Sequence, residues 1–223
     1  MKNIEIISEN DFYIIINKPA GLAVQGGKGV KTSLDALLAE IRTPPPLLVH
    51  RLDKDTSGVL LAAKGSEAAA LFSGLLSNKK TVKTYIAVCS GCPEKKEGVI
   101  NDELYIHGKL KKSETRYKVI KNGKIEQADD SSINYSILEI QLGTGRMHQI
   151  RRHLAMIGYP ILGDDKYGDF KLNKYLHKTV GLKRLLLHAS RLVINEQFNI
   201  DVTAPLPEYF KQYYFISHGG TEP

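Results

Sequence analysis

Apolar residues along the 223-residue chain change their spacing several times, and each spacing predicts a different element. Phe12 to Asn17 is a β-branched run closed by Lys18-Pro19-Ala20-Gly21, which predicts a buried strand and then a turn. Gly26, Gly27 and Gly29 mark a mobile loop after it. Thr32 or Ser33 can cap a short helix carrying Leu34, Leu37, Leu38 and Ile41, which stops before the stiff Pro44-Pro45-Pro46 segment. Gly58 to Lys64 reads as a second apolar strand. Ser66-Glu67-Ala68-Ala69 then opens a helix whose Leu71, Phe72, Leu75 and Leu76 form one stripe. Alternation of period two predicts strands at Lys83 to Val88, Thr115 to Ile120 and Ile133 to Leu142, separated by polar loops such as Asn122 to Ser132. Gly143-Thr144-Gly145 leads into a helix from about Arg146 to Ile157, closed by Gly158. Strands near Leu185 to Ile194 and Ile200 to Val202 follow.

Strands outnumber helices and do not alternate regularly with them. That pattern predicts an α+β fold with a mixed, largely antiparallel sheet and flanking helices, not a doubly wound one. An apolar fraction of 42% can fill one core at this length, so residues 1–223 are expected to form a single domain. The N-terminus lacks a basic stretch followed by a long apolar run, and no later segment reaches membrane-spanning length without charges. A soluble, cytoplasmic monomer is expected.

Charge adds a candidate partner. Lys and Arg outnumber Asp and Glu by 31 to 24, with a pI near 9.2, which favours a polyanion. Lys109, Lys111, Lys112, Arg116, Lys118, Lys121 and Lys124 face a single acid in their stretch, Glu114, and Lys79, Lys80 and Lys83 form a second cluster. On charge alone, two solvated faces fit as well as a nucleic-acid surface. Cys89 and Cys92 make a C-x-x-C, but a zinc ribbon needs a second pair and a redox motif needs a helix start, whereas Pro93 and a charged turn follow here. A strand-to-loop exit is the better reading.

The densest chemistry is His50-Arg51-Leu52-Asp53-Lys54-Asp55-Thr56-Ser57-Gly58, a loop of imidazole, guanidinium, carboxylates and hydroxyls feeding an apolar strand. His-Arg-Leu-Asp followed two residues later by Thr-Ser-Gly resembles the signature of the RluA-type pseudouridine synthases. Asn17-Lys18-Pro19-Ala20-Gly21 resembles the opening element of that family, and Lys83-Thr84-Tyr85 its lysine-x-tyrosine strand. Thr144-Gly145-Arg146-Met147-His148-Gln149-Ile150-Arg151 is similar to its glycine-arginine-x-histidine-glutamine-isoleucine-arginine helix start. Pro160-Ile161-Leu162-Gly163-Asp164, Leu187-His188-Ala189 and Ala204-Pro205-Leu206-Pro207 complete the series in family order. Many relatives carry an extra N-terminal RNA-binding domain, whereas the pattern begins here within about a dozen residues, so the short form is expected.

The resemblance implies the pseudouridine synthase fold with a central RNA-binding cleft, structured ribosomal or transfer RNA as partner, and no metal or organic cofactor. Breaking a glycosidic bond and remaking it through carbon needs a carboxylate to stabilise or trap a cationic sugar, or to remove its proton. By resemblance that group is Asp53, with Arg151 as the arginine that salt-bridges it and keeps it charged. A uridine in folded RNA must be extruded to react. Arg51 matches the residue that fills the vacated place, and Tyr85 the one that stacks on the flipped base. His50 and His148 are expected on the RNA side as site scaffolding, since no metal pattern such as H-E-x-x-H includes them. Lys83, Arg146, Lys111 and Lys112 are expected to hold phosphates.

Other classes fit less well. Gly143-x-Gly145 lacks the third glycine of a dinucleotide site, the segment from Gly21 to Lys28 only grazes a P-loop, and Ser57 lacks the flanking glycines of a nucleophile elbow. The serious rival is a non-catalytic RNA-binding module. Such a module has no use for Asp53, which repels phosphate.

Overall fold

The computed structural model describes residues 4–78, 80–106, 108–127 and 131–214; Lys79 of the second basic cluster lies outside them. The chain forms an α+β structure around one ten-stranded mixed sheet. In chain order the strands are β1 (Glu5–Glu9), β2 (Tyr13–Lys18), β3 (Leu47–Leu48), β4 (Ser57–Ala63), β5 (Val82–Ser90), β6 (Glu97–Ile106), β7 (Lys109–Glu126), β8 (Ser132–Leu142), β9 (Leu187–Ile194) and β10 (Ile200–Thr203). The helices are α1 (Leu34–Ile41), α2 (Ser66–Ser77), α3 (Gln149–Met156), α4 (Phe170–Thr179) and α5 (Glu208–Tyr214). The sheet order is β1-β2-β4-β9-β5-β8-β7-β6, with β10 beside β9 and β3 beside β4. Pairing is antiparallel except between β4 and β9.

The run from Tyr13 to Ile16 is wholly buried because helices cover both faces of the sheet there. Ile14, Ile16, Leu60 and Ala62 pack with Leu34 and Leu38 of α1, whereas Tyr13, Ile15, Val59, Leu61 and Ala63 pack with Phe72, Leu75 and Leu76 of α2. Period two along β2 and β4 thus feeds two cores at once.

The parallel contact of β4 with β9 sits at the head of the Asp53 loop and explains two separated sequence motifs. Gly58 has φ +112° and lies so close to β9 that a Cβ would stand 2.1 Å from the Ala189 carbonyl oxygen. Beside it, the Ser57 hydroxyl lies 2.9 Å from His188 Nδ1 and 3.1 Å from the Tyr209 hydroxyl of α5. Thr-Ser-Gly and Leu-His-Ala are therefore two sides of one buried junction. Burial pushes the His188 imidazole down to about 4, so it is neutral at pH 7.

Some boundaries differ from the expectation. The predicted helix from Arg146 begins instead at Gln149, because His148 is left-handed (φ 52°) and Arg146 and Met147 lie in the turn before it. The predicted loop from Asn122 to Ser132 is strand at both ends: β7 runs to Glu126, and Asn122, Gly123 and Lys124 pair with Ser136, Tyr135 and Asn134. Ladder hydrogen bonds hold those polar residues extended whatever their local preference. Cys89 ends deep in β5 and Cys92 lies past its end, as the strand-to-loop reading requires.

The junction can be probed through stability. Gly58→Ala should cost about 3 kcal/mol or more, since the new methyl meets backbone and the left-handed φ adds strain. Gly74→Ala, exposed inside α2 with open space around it, should gain about 0.5–1 kcal/mol; urea denaturation of both variants measures the contrast. A second probe is pH. Unfolded His188 takes up a proton near pH 6.5 and the folded group only near 4, so its contribution is full above pH 6.5 and is lost as pH falls through that window. The loss should be about 3 kcal/mol. His188→Gln should flatten the wild-type dependence of urea midpoint on pH between 6.5 and 4; an unchanged slope would rule out His188 as its source.

Candidate active site

Asp53 stands in the loop between β3 and β4, and a buried lysine fixes that loop from below. Lys18, at the end of β2 and fully buried, donates from Nζ to the carbonyls of Pro19 (3.1 Å), Leu22 (2.9 Å) and Lys54 (3.0 Å). Gly21, left-handed at φ +82°, brings its N–H to the same Lys54 carbonyl at 2.9 Å. The lysine-proline turn and the Asp53 loop are thereby one unit. Burial pushes Lys18 down to about 8, with the charges of Asp55 and Asp53 pulling the other way. The sequence marks Lys18 only as part of a turn; an ammonium's three donors matched to three carbonyls is its structural reason.

The Asp53 carboxylate is 22% exposed and faces two cations or potential cations on α3 and its approach. Arg151 Nη1 lies 3.6 Å from Oδ2, and His148 Nε2 lies 3.7 Å from Oδ1. Burial lowers the proton affinity of His148 against the opposing pull of Asp53. Tyr85, on β5, is buried to 9% exposure; burial, and then the charge of Asp53, hold its phenol above the ordinary tyrosine value. The fold brings Asp53, Tyr85 and the His148–Arg151 pair to one place from three separate segments.

Arg151, expected to pair with Asp53, makes its shortest bonds elsewhere. Its Nε and Nη2 form a bidentate fork on Asp164, at 2.8 and 2.7 Å, and Nη2 also reaches Asp165 at 3.0 Å. Asp164 is completely buried and accepts further bonds from the Lys166 and Tyr167 N–H groups, both 2.9 Å. Burial opposes both charges, but the fork outweighs it, holding Arg151 above and Asp164 below their ordinary values. Nη1 is left to face Asp53. The Tyr167 ring lies 5.4 Å from the Arg151 guanidinium carbon, and its hydroxyl lies 3.1 Å from His148 Nδ1. Asp164 is thus a site residue that sequence reasoning did not single out, although the Gly163-Asp164 turn of the family pattern carried the signal.

Helix α3 is anchored to the sheet on its other side. Gln149 donates to the Glu114 carbonyl (2.8 Å) and to Thr115 Oγ1 (2.9 Å), and accepts from Thr144 Oγ1 and Arg146 N. His153, fully buried, bridges the Ser113 and Thr115 hydroxyls of β7 at 2.9 Å each. Arg152 Nη1 donates to the Tyr105 carbonyl of β6 at 3.2 Å. These bonds set the rotation of α3 that aims Arg151 inward.

The remaining candidates lie apart from the carboxylate or are engaged. His50 Nε2 accepts from the Leu61 N–H at 2.9 Å, and burial, then Lys83, push its ring down to about 4, so it braces β4 as a neutral acceptor. Lys83 Nζ donates to the Leu76 carbonyl at 2.5 Å, and Lys80 pairs with Glu196 at 3.0 Å. Arg51 and Arg146 are exposed, the first two residues before Asp53 in the chain and the second just before α3. Lys111 and Lys112 are exposed on β7. Among the described residues, no three His, Cys, Asp or Glu side chains gather as metal ligands.

Comparison with known proteins agrees with this arrangement. The RNA pseudouridylate synthase family model matches residues 12–156. The ribosomal large subunit pseudouridine synthase C of Rickettsia bellii is 36% identical over 226 residues, covering 93% of this chain and 70% of its own length. That of Vibrio parahaemolyticus is 35% identical over 215 residues, covering 90% and 65%. Among solved structures, human RNA pseudouridylate synthase domain containing 4 superposes with a TM-score of 0.75 at 27% identity, over 93% of this chain and 90% of that one. A family match that runs through Asp53, Tyr85 and Arg151 alike, on a shared fold, settles the affiliation: the chain belongs to the RNA pseudouridylate synthase family and is an RNA pseudouridine synthase, an isomerase.

Proposed function

We propose that this enzyme converts uridines of large-subunit ribosomal RNA to pseudouridine, with Asp53 as the catalytic carboxylate in a single cytoplasmic catalytic domain. The ribosomal substrate rests on the names of the relatives, and no described helix is long and apolar enough to cross a membrane. The observation that carries the chemistry is the Asp53–Arg151 approach at 3.6 Å, with Arg151 itself locked by Asp164.

The reaction breaks the bond from the sugar C1′ to N1 of uracil, turns the retained base, and joins C1′ to C5. The C5 hydrogen leaves as a proton and N1 gains one, so the step is an isomerisation with no net redox change. The uridine is first flipped out of its helix or loop, and the exposed Arg51 takes its place. Arg151 sets a positive charge 3.6 Å from Asp53, so the carboxylate is placed to meet the sugar cation or to take a sugar proton. Tyr85 supplies the face on which the base stacks and turns. Its phenol stays protonated near neutral pH, so it serves as a stacking surface and hydrogen-bond donor.

Asp53→Asn preserves shape and removes the charge, and isomerisation should fall by at least about 10³-fold. Binding should persist or tighten, because a charge that repels phosphate is gone. Tritium release from C5-labelled uridine in RNA reads the first effect and filter binding the second, in one buffer. Near-normal release from a folded Asp53→Asn protein would overturn the assignment. Arg151→Lys keeps a positive charge and loses the fork, so release should drop by about 10²-fold with affinity little changed.

A further inference from the structure

The basic stretch on β7 looks continuous in sequence, but the sheet divides it. Tyr85 pairs with Ile140, and Ile140 with Tyr117, so all three side chains lie on one face. From Tyr117 back to Lys109 the pairing with β6 has no register shift, and alternation puts Thr115, Ser113, Lys111 and Lys109 on that same face. The hydroxyls of Thr115 and Ser113 meet His153 of α3, which fixes this as the face over which Asp53 and Arg151 sit. Lys112, Arg116 and Lys118 therefore point to the reverse face.

The two faces differ in electrostatic company. On the reverse face Lys112 stands directly opposite Glu103, Arg116 pairs with Glu114 at 3.0 Å, and Lys118 lies between Glu97 and Glu139. On the α3 face Lys111 and Lys109 stand opposite Leu104 and Ile106, and the acid of that face in β6, Asp102, stands opposite Ser113. Arg152 of α3 adds a cation at the same end of the hairpin, since its guanidinium donates to the Tyr105 carbonyl and Tyr105 pairs with Leu110, the residue between Lys109 and Lys111. Leu104 is buried beneath, so the lysines project from a packed base.

We propose that the β6–β7 hairpin is a one-sided RNA arm, in which Lys109 and Lys111 hold phosphates of the RNA that crosses α3 and Lys112 does not. The proposal deepens the reading of the site as an RNA-modifying centre and rests on it. Removing one lysine that neutralises a phosphate should flatten the dependence of log K on log salt by about 0.7–0.9. The probe is an in vitro transcript of large-subunit ribosomal RNA, carrying C5-tritiated uridine, with the full chain. Lys111→Gln should flatten the slope by about one unit and Lys109→Gln plus Lys111→Gln by up to about two. Lys112→Gln should leave the slope at the wild-type value. Equal flattening by Lys111→Gln and Lys112→Gln, or an effect confined to Lys112→Gln, would overturn the one-sided arm. Tritium release by the wild-type chain on the same transcript tests the synthase reading separately, so the two can fail independently.

Discussion

The fork between Arg151 and Asp164 is the constraint on which the site depends. A guanidinium this deeply placed must be neutralised where it lies, and the fully buried Asp164 does so with two short bonds while its own oxygens accept two backbone N–H groups. Because that pair is satisfied internally, the third edge of Arg151 can face Asp53 at longer range without being drawn into a closed salt bridge. Asp53 is faced by a cation yet is not used up. A direct fork between Arg151 and Asp53 would have occupied the oxygens that the chemistry needs.

Two further anchors make the fork effective. Lys18 ties the Asp53 loop to the turn after β2, and the hydrogen bonds of Gln149 and His153 tie α3 to β7. Neither anchor touches the carboxylate. Both hold elements whose relative placement sets the Asp53–Arg151 distance, as buried outer-shell groups do in other preorganised sites. The Ser57–His188 junction adds a third brace at the point where the loop becomes strand.

Much of this is legible in the sequence where signals are local. The apolar runs of β2 and β4 and the stripe of α2 fall where spacing puts them, and the family pattern singles out Asp53, Tyr85 and Arg151. What escapes is set by partners distant along the chain. β6 reads as polar in sequence and is strand because β7 pairs with all ten of its residues. α4 is a different case: Asp169 caps the Lys171 and Leu172 N–H groups, a local signal that the apolar spacing around it does not reinforce. Asp164 looks like a turn residue, since its arginine lies thirteen positions earlier. Lys112 and Lys118 of β7 look uncompensated because their acids, Glu97, Glu103 and Glu139, are cross-strand neighbours and not sequence neighbours.

The hairpin built from β6 and β7 meets α3 at two levels: Ser113 and Thr115 bond His153, and nearer the turn the Tyr105 carbonyl accepts from Arg152. An insertion between the Ser113 level and the turn lengthens the arm while leaving in place the His153 bonds that orient α3. Parity limits the useful variants. Adding two residues to each strand would carry the arm about 7 Å further with every side chain on its present face. Adding one to each would turn the outer lysines away from the cleft and send their reverse-face neighbours into it. Target choice could thus diverge among relatives by even steps of hairpin length, while the pocket that does the chemistry stays the same.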